Sequence, residues 1–310
     1  MDPLSDVLLL LKPSSYRAGG FDLGGDFAIK FPKHESIKCY AVVSGRCWLS
    51  VEGVPDAARL TAGDCFLLPR ALPSCLASDL KLEPVDAPKI FPFPLNGRIA
   101  SCNGGGDCLL VGGNFVLNGK PADILLAELP PIVHIRKESE KAAIRWSLER
   151  LRAELSDPQP GGFLVAQQLA YMLLVQALRL HLTELKGGVG WLFALSDNQM
   201  SAAITSMHDD PAHDWTVEEL GQRAGMSRSI FALRFKETVG VSPMEYLTRW
   251  RMLLAGDRMA NTSDSISEIA QSLGYESASA FTKAFKKTMG CSPPQYSRGR
   301  NSVSPSYLAS

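Results

Sequence analysis

The chain has 310 residues, 45% of them hydrophobic and 21% charged, and its 32 Lys and Arg are balanced by 32 Asp and Glu. That length exceeds one ordinary domain, and that composition excludes a chain too polar to build a core. A net charge of zero excludes a uniformly basic nucleic-acid binder but not a local basic face, because attraction to phosphate depends on where the charges sit.

The opening MDPLSDVLLLLKPSSYR has an apolar run with no basic residue before it and no small-residue cleavage site after it. It does not read as an export signal, so a cytoplasmic protein is expected. Up to about residue 130, short apolar runs such as CYAVVSGRCWLSVEG, ARLTAGDCFLLP and GDCLLVGGNFVL are separated by Gly, Pro, Asn and Asp turns. Such runs are strands of a β-sandwich or barrel. The seven cysteines are expected as thiols, since nothing directs the chain to an oxidising compartment. Cys39, Cys47, Cys65 and Cys75 fall in strands, where they pack as small apolar groups. Cys102 and Cys108 flank NGGGD, read as a flexible loop in which two thiols meet as a redox pair or around a soft metal such as zinc. They are expected to react first, although the charge of Asp107 opposes thiolate formation.

Past Pro130 and Pro131 the texture becomes helical. KESEKAAIRWSLERLRAEL sets Ile144, Leu148, Leu151 and Leu155 on one helix face. The next helix, over about 163–185, is apolar around most of its circumference but is interrupted by Gln167, Gln168, Gln176, Arg179 and His181, which argues against a membrane span. Its surface predicts burial against a second copy of the chain, with Leu174 and Leu178 in that contact. Gly187, Gly188 and Gly190 make a linker, and His181, His208 and His213 read as ordinary helix or loop histidines. The expected organisation is thus an effector domain over 1–130, a helical dimerisation region over 131–190, an all-α domain over 191–300 and a flexible tail over 301–310.

The last hundred residues repeat themselves. Leu220-Gly221-Gln222 and Gly225 match Ile269-Ala270-Gln271 and Gly274 at an offset of 49; Phe231, Phe235, Lys236, Gly240, Pro243 and Tyr246 match Phe281, Phe285, Lys286, Gly290, Pro293 and Tyr296 at an offset of 50. Each copy is written as a helix-turn-helix. Thr216 with Glu219 is a capping box, Gly225 turns the chain, and Ser227 caps a second helix. In that helix Ile230, Phe231 and Phe235 are expected inward, leaving Arg228, Ser229, Ala232 and Lys236 outward. In the second copy Ser279, Thr282, Lys283 and Lys286 face outward, with Ser277 and Lys287 at the same helix. Residues 220–300 carry 12 Lys and Arg against 6 Asp and Glu, whereas 197–219 carry 6 acids and no base, so the neutral total hides a basic face.

AGMSRSIFALRFKETVGVSPMEYLTRWRMLLA and EIAQSLGYESASAFTKAFKKTMGCSPPQY resemble the two-motif DNA-binding domain of the AraC/XylS-type regulators over roughly residues 196–298. The resemblance implies a long helix joining the motifs over about 243–259. It also implies entry into successive major grooves about 34 Å apart on one DNA face, a mode that needs no cofactor. Leu233 stands where many members of that family carry an arginine, and Ala232 offers a methyl group for thymine rather than a hydrogen bond. Ser229 is then the hydrogen-bonding reader of the first motif, with Arg228 and Lys236 on phosphates.

VVSGRCWLSVEG followed by LTAGDCFLLP resembles the cupin-like effector domain of a subset of those regulators. Enzymatic cupins hold metal through a His-x-His pair with a nearby Glu and a later His. Only His34-Glu35 and the distant His134 stand here, so a cupin-type metal-dependent enzyme fused to a DNA-binding module is the lesser alternative. Some relatives sense reactive chlorine through cysteines of this domain. Cys108 falls at one such position and Phe21 at the other, so His34, Cys102 and Cys108 are the effector or redox candidates. The overall expectation is an α+β homodimer that binds duplex DNA, answers a small-molecule or redox effector, meets RNA polymerase and does not use a membrane.

Overall fold

The computed structural model describes residues 2–10, 15–33, 36–70, 72–91, 97–116, 129–184 and 190–301. Its two compact units are Pro13–Glu184 and Met1–Lys12 with Leu185–Ser310. The first helix, α1 (Pro3–Leu10), therefore belongs with the C-terminal unit; Asp2 starts it by accepting the Ser5 N–H at 3.0 Å.

The larger unit is a β-sandwich, as the strand pattern predicts. Its strands are β1 (Ser15–Leu23), β2 (Ala28–Phe31), β3 (Ser36–Ser44), β4 (Arg46–Val51), β5 (Ala58–Thr61), β6 (Cys65–Leu68), β7 (Ser74–Ala77) and β8 (Val85–Asp86). They are followed by α2 (Ala87–Ile90), β9 (Ile99–Cys102), β10 (Cys108–Val116), β11 (Val133–Ile135), α3 (Glu138–Ser156) and α4 (Gly162–Glu184). One sheet runs β11-β6-β3-β10-β1-β9 and the other β5-β4-β7-β2-β8. Phe21, Tyr40, Leu49, Phe66 and Leu76 meet between them.

The six-stranded sheet is buried on both faces. In β3 the even-numbered Lys38, Tyr40 and Val42 face the second sheet, while Ile37, Cys39 and Ala41 are buried on the reverse side. The cover on that side is α3 and α4: a Cβ on Gly113 of β10 would lie 3.1 Å from the Ala170 methyl, and Phe115 meets Tyr171 at 6.2 Å between ring centroids. Double coverage is why β3 and β10 are nearly continuous apolar runs.

This packing corrects the expectation for the helix over 163–185. Leu173, Leu174 and Leu178 are buried by their own chain, so Leu174 and Leu178 are not available to a second copy. Phe163, Leu164 and Val165 at the start of α4, and Trp146 on α3, are the exposed apolar residues there instead. This compact unit accordingly runs through to Glu184, because α3 and α4 find their apolar partner on the sheet.

The smaller unit is helical. It contains α5 (Trp191–Ala194), α6 (Asn198–Asp209), α7 (Val217–Arg223), α8 (Arg228–Val239), α9 (Pro243–Asn261), α10 (Ile266–Ser272), α11 (Ala278–Met289) and α12 (Pro293–Asn301). The long α9 joins the two motifs, as expected, and lends Met252 and Ala255 to the core of the second. From residue 302 on, the predicted tail lies outside the described residues.

Candidate nucleic-acid interface

The two motifs are copies in geometry as well as in sequence. Thr216 and Ser265 accept the backbone N–H of Glu219 and Glu268 at 3.1 and 3.3 Å, and each Glu returns the bond to the capping residue's N–H. Gly225 and Gly274 turn the chain at φ 67° and 76°, a conformation L side chains rarely adopt. Both turns close through the same bond, Met226 N–H to Gly221 C=O at 2.8 Å and Tyr275 N–H to Ala270 C=O at 3.0 Å. Below each turn lies one aromatic trio: Phe231, Phe235 and Tyr246 with centroids 5.4 and 5.8 Å apart, and Phe281, Phe285 and Tyr296 at 5.7 and 5.5 Å. The trio fixes the roll of the second helix, and so decides which side chains face solvent.

Position by position, 231–240 and 281–290 have the same pattern of burial. Ser229, Leu233, Lys236 and Glu237 on α8 correspond to Ser279, Lys283, Lys286 and Lys287 on α11, all exposed. Ser227 and Arg228 are exposed at the head of α8, and Ser277 at the head of α11. Three expectations need correcting. Ile230 is 59% exposed, not inward, because the buried stripe is Phe231, Phe235 and Val239. Leu233, at 62%, is the other exposed large apolar residue of that helix; the signal was its repeat partner, the lysine at position 283. Ala232 and its counterpart Thr282 are half-buried, and the Thr282 hydroxyl donates to the Ala278 carbonyl at 2.7 Å. Ser227 occupies the N-cap position without making a side-chain cap bond, whereas Ser277 accepts the Ala280 N–H at 3.2 Å.

The basic excess is also partitioned. Arg234 donates to Gln199 and Asp197, both at 2.7 Å, and Arg249 pairs with Glu245 at 2.7 Å. Arg258 pairs with Asp264 at 2.8 Å. Arg251 is half-buried, donating to the Pro211 and His213 carbonyls at 2.6 and 2.8 Å beneath the Tyr275 ring. Arg234, Arg251 and Arg258 tie separate segments of the unit together, and Arg249 is paired within α9. Among the described residues no ion pair engages Arg228, Lys236, Lys283, Lys286 or Lys287, which leaves five cations on the outer faces of the two second helices.

A cupin family model matches residues 2–183, and a helix-turn-helix domain model matches residues 220–299. A Streptomyces lividans protein named as an AraC-like transcription regulator is 41% identical over 298 residues, covering 96% of this chain and 98% of that one. The chain belongs to the AraC-like transcription regulators. The regulator is also 27% identical over 301 residues, with 96% and 97% of the two chains covered, to the RCS-specific HTH-type transcriptional activator RclR of Escherichia coli (strain K12). The crystallised DNA-binding domain of AdpA, solved with a target DNA, is 28% identical and covers 34% of the regulator and 94% of that domain, with a TM-score of 0.32.

In the regulator's sandwich the expected thiol pair is not brought together. Strand β1 lies between β9 and β10, and Cys102 and Cys108 are both in register with Leu23, one on each side. Two strand spacings separate them, about 9.6 Å, well beyond the roughly 7 Å limit for a disulfide. Both are buried. Cys108 is engaged by Cys47 instead: its thiol is pulled down by that hydrogen bond against burial and the charges of Asp22 and Asp107, while Cys47 is pushed up by donating and by burial. A second pair, Cys39 and Cys65, meets at 3.9 Å, and the hydrogen bond and burial hold Cys39 far above the usual thiol range. The NGGGD segment is tied down: Gly106 N–H donates to Asp22 at 2.8 Å, Gly25 N–H to Asp107 at 2.6 Å, and the Asn103 amide to the Asp26 carbonyl at 2.9 Å. His34 lies outside the described residues. His134 pairs with Asp64 at 3.2 Å, which Lys141 also meets at 3.1 Å. No three His, Cys, Asp or Glu side chains gather as metal ligands among the described residues.

His208 is not an ordinary surface histidine. Its ring stacks on Trp250 at 3.7 Å, Nε2 lies 2.9 Å from the Tyr246 hydroxyl, and Nδ1 lies 3.3 Å from Asp6 on α1. Burial pushes its pKa down to about 3, outweighing the attraction of nearby Asp209. The geometry suits a neutral ring with Nδ1–H donating to Asp6 and Nε2 accepting from Tyr246. An unfolded histidine titrates near 6.5, so between that value and about 3 the unfolded chain binds the extra proton. The stability from this site is therefore complete above pH ~6.5 and falls by about 1.4 kcal/mol per pH unit below it. Urea unfolding of the C-terminal unit, followed by tryptophan fluorescence between pH 7 and 5, should show that slope in the parent and lose it in His208→Gln.

Proposed function

We infer that the regulator binds a specific duplex site by placing α8 and α11 in successive major grooves, under the control of an effector held by the sandwich. The observation carrying this reading is the shared exposure pattern of the two helices, which presents five unpaired cations and two small hydroxyl groups on equivalent faces. Lys236, Lys286, Lys287 and Arg228 act on phosphates. Ser229, Ser279 and Lys283 read base edges, and Ile230 and Leu233 give the first helix an apolar face that suits thymine methyl groups. Ser277 keeps to its capping bond, and Ala232 and Thr282 are in second rank at the groove edge. The regulator acts in the cytoplasm as a homodimer and meets RNA polymerase. This reading gives it no enzymatic role, in keeping with relatives that are named as regulators.

Binding selections separate the roles. Lys286→Ala should weaken specific and non-specific sites alike, whereas Lys283→Ala and Leu233→Ala should each relax the preference at one base pair by about 1–3 kcal/mol. Uracil in place of thymine at the pair read by Leu233 should reproduce the Leu233→Ala loss in the parent and add nothing in the variant. Unchanged site preferences in both variants would remove α8 and α11 from the reading role.

A further inference from the structure

A cavity of about 340 Å³ lies between the two sheets of the sandwich, with Phe21, Phe66, Leu68 and Leu76 in its walls. Phe21 organises the wall, meeting Phe31 at 5.3 Å, Tyr40 at 5.6 Å and Phe91 at 5.1 Å between ring centroids. The strand alternation that turns Ile37 and Cys39 towards α4 turns Lys38 and Tyr40 into this space. Among the described residues Lys38 is the one charged side chain on the cavity lining. Its ammonium lies 4.8 Å from the centre of the Phe31 ring, and no carboxylate pairs with it among the described residues. Asn114, its neighbour across β10, also faces the cavity and accepts the Tyr40 hydroxyl at 3.4 Å.

A lysine in the wall of a sandwich core is costly unless something compensates its charge, and an apolar residue of similar length would serve packing better. The cost is visible in the side chain itself: burial brings its pKa down to about 8. The lining therefore combines a broad apolar, aromatic surface with a single cation and an amide and hydroxyl beside it. Among the described residues nothing acidic competes for the cation.

We propose that this cavity is the regulator's ligand site and that its ligand is a small monocarboxylate with an apolar body, the carboxylate on Lys38 and the body against Phe21, Phe31 and Phe66. A single lysine matches one negative charge; a second carboxylate would be left buried and unpaired. At about 30 Å³ per water-sized volume the space takes roughly a dozen non-hydrogen atoms, the size of a naphthoate or a ten-carbon fatty acid. The assignment of an effector role to this ligand rests on the reading of the sandwich as the sensing unit; the binding itself does not.

The test is calorimetric titration of the full chain with 2-naphthoate, decanoate and the matching neutral alcohols, in the parent and in Lys38→Met, which keeps the apolar stem and removes the charge. At least one acid should bind the parent roughly 10- to 100-fold more tightly than its alcohol, and Lys38→Met should erase that difference while leaving the alcohol's affinity in place. Near pH 8 the bound carboxylate should also draw a proton onto Lys38, seen as a dependence of the binding enthalpy on buffer in the parent alone. Lys38→Met should melt at or above the parent temperature, since a buried charge has been removed. Comparing the two acids tells an aromatic body from a straight chain. Acids that bind no better than alcohols, or that bind Lys38→Met as tightly as the parent, would overturn the proposal. Lys38-dependent binding that leaves DNA affinity and site preference untouched would keep the ligand site and overturn the sensing role alone.

Discussion

Raising the salt concentration from about 50 to 200 mM should weaken the regulator's hold on a specific DNA site by roughly 60- to 250-fold. The estimate follows from the cations that the fold leaves free. Arg234, Arg249, Arg251 and Arg258 are spent inside the helical unit, while Arg228, Lys236, Lys283, Lys286 and Lys287 stand on the exposed faces of α8 and α11. Each cation that reaches a phosphate releases about 0.9 of a condensed counterion, so four of these, with Lys283 on a base edge, give a log-log slope of about −3 to −4 for one DNA-binding unit. Lys286→Ala should lower the slope by about one unit, and Arg258→Ala should leave it unchanged because Arg258 is held by Asp264. Fluorescence anisotropy on one duplex across a salt series measures both. A slope flatter than about −2 would exclude the groove-docked arrangement.

Phe285→Ala should cost about 3–5 kcal/mol of the helical unit's stability and abolish site-specific binding. Phe285 is fully buried between Phe281 and Tyr296, in a cluster that also takes Met252 and Ala255 from α9. Its removal empties the centre of the second motif, and a loss of that size is a large part of what a small domain has to spare. None of the cations on the outer face of α11 is altered, so residual binding should be weak, salt-sensitive and indifferent to sequence. The sandwich has its own core around Phe21, Leu49 and Leu110, and its unfolding transition should stay where it is. Calorimetry of the full chain should therefore resolve one shifted transition and one unshifted. Phe235→Ala should act in the same way on the first motif, because Phe235 holds the same place between Phe231 and Tyr246.

The helix-turn-helix copies were legible because their constraints are local. A capping box spans four residues, a turn glycine is demanded by backbone sterics, and an aromatic stripe at helical spacing defines its own inner face. The offset of 49 or 50 residues then let each copy check the other. Hydrophobicity alone sets Ile230 inward, yet it lies on the solvent side with its neighbour Leu233, as their repeat counterparts Ala280 and Lys283 do. Hydrophobic content alone does not tell core from an apolar contact face, and a recognition helix is where the two differ.

From its sequence alone, then, this chain declared a strand-rich first part, two middle helices, and a duplicated reader with its caps, turns and buried phenylalanines. Each of those rests on interactions within one or two turns of chain, or on a period that the residues themselves display. The tertiary structure decided what depends on who meets whom. It set α3 and α4 on their own sheet, which buried Leu174 and Leu178. It placed β1 between Cys102 and Cys108, and gave Cys108 to Cys47. It turned Lys38 into an apolar cavity, and carried α1 across the chain to bring Asp6 to His208. Apolar periodicity states that a face will be buried but not against what, because the hydrophobic effect is non-directional and any apolar surface in reach satisfies it equally.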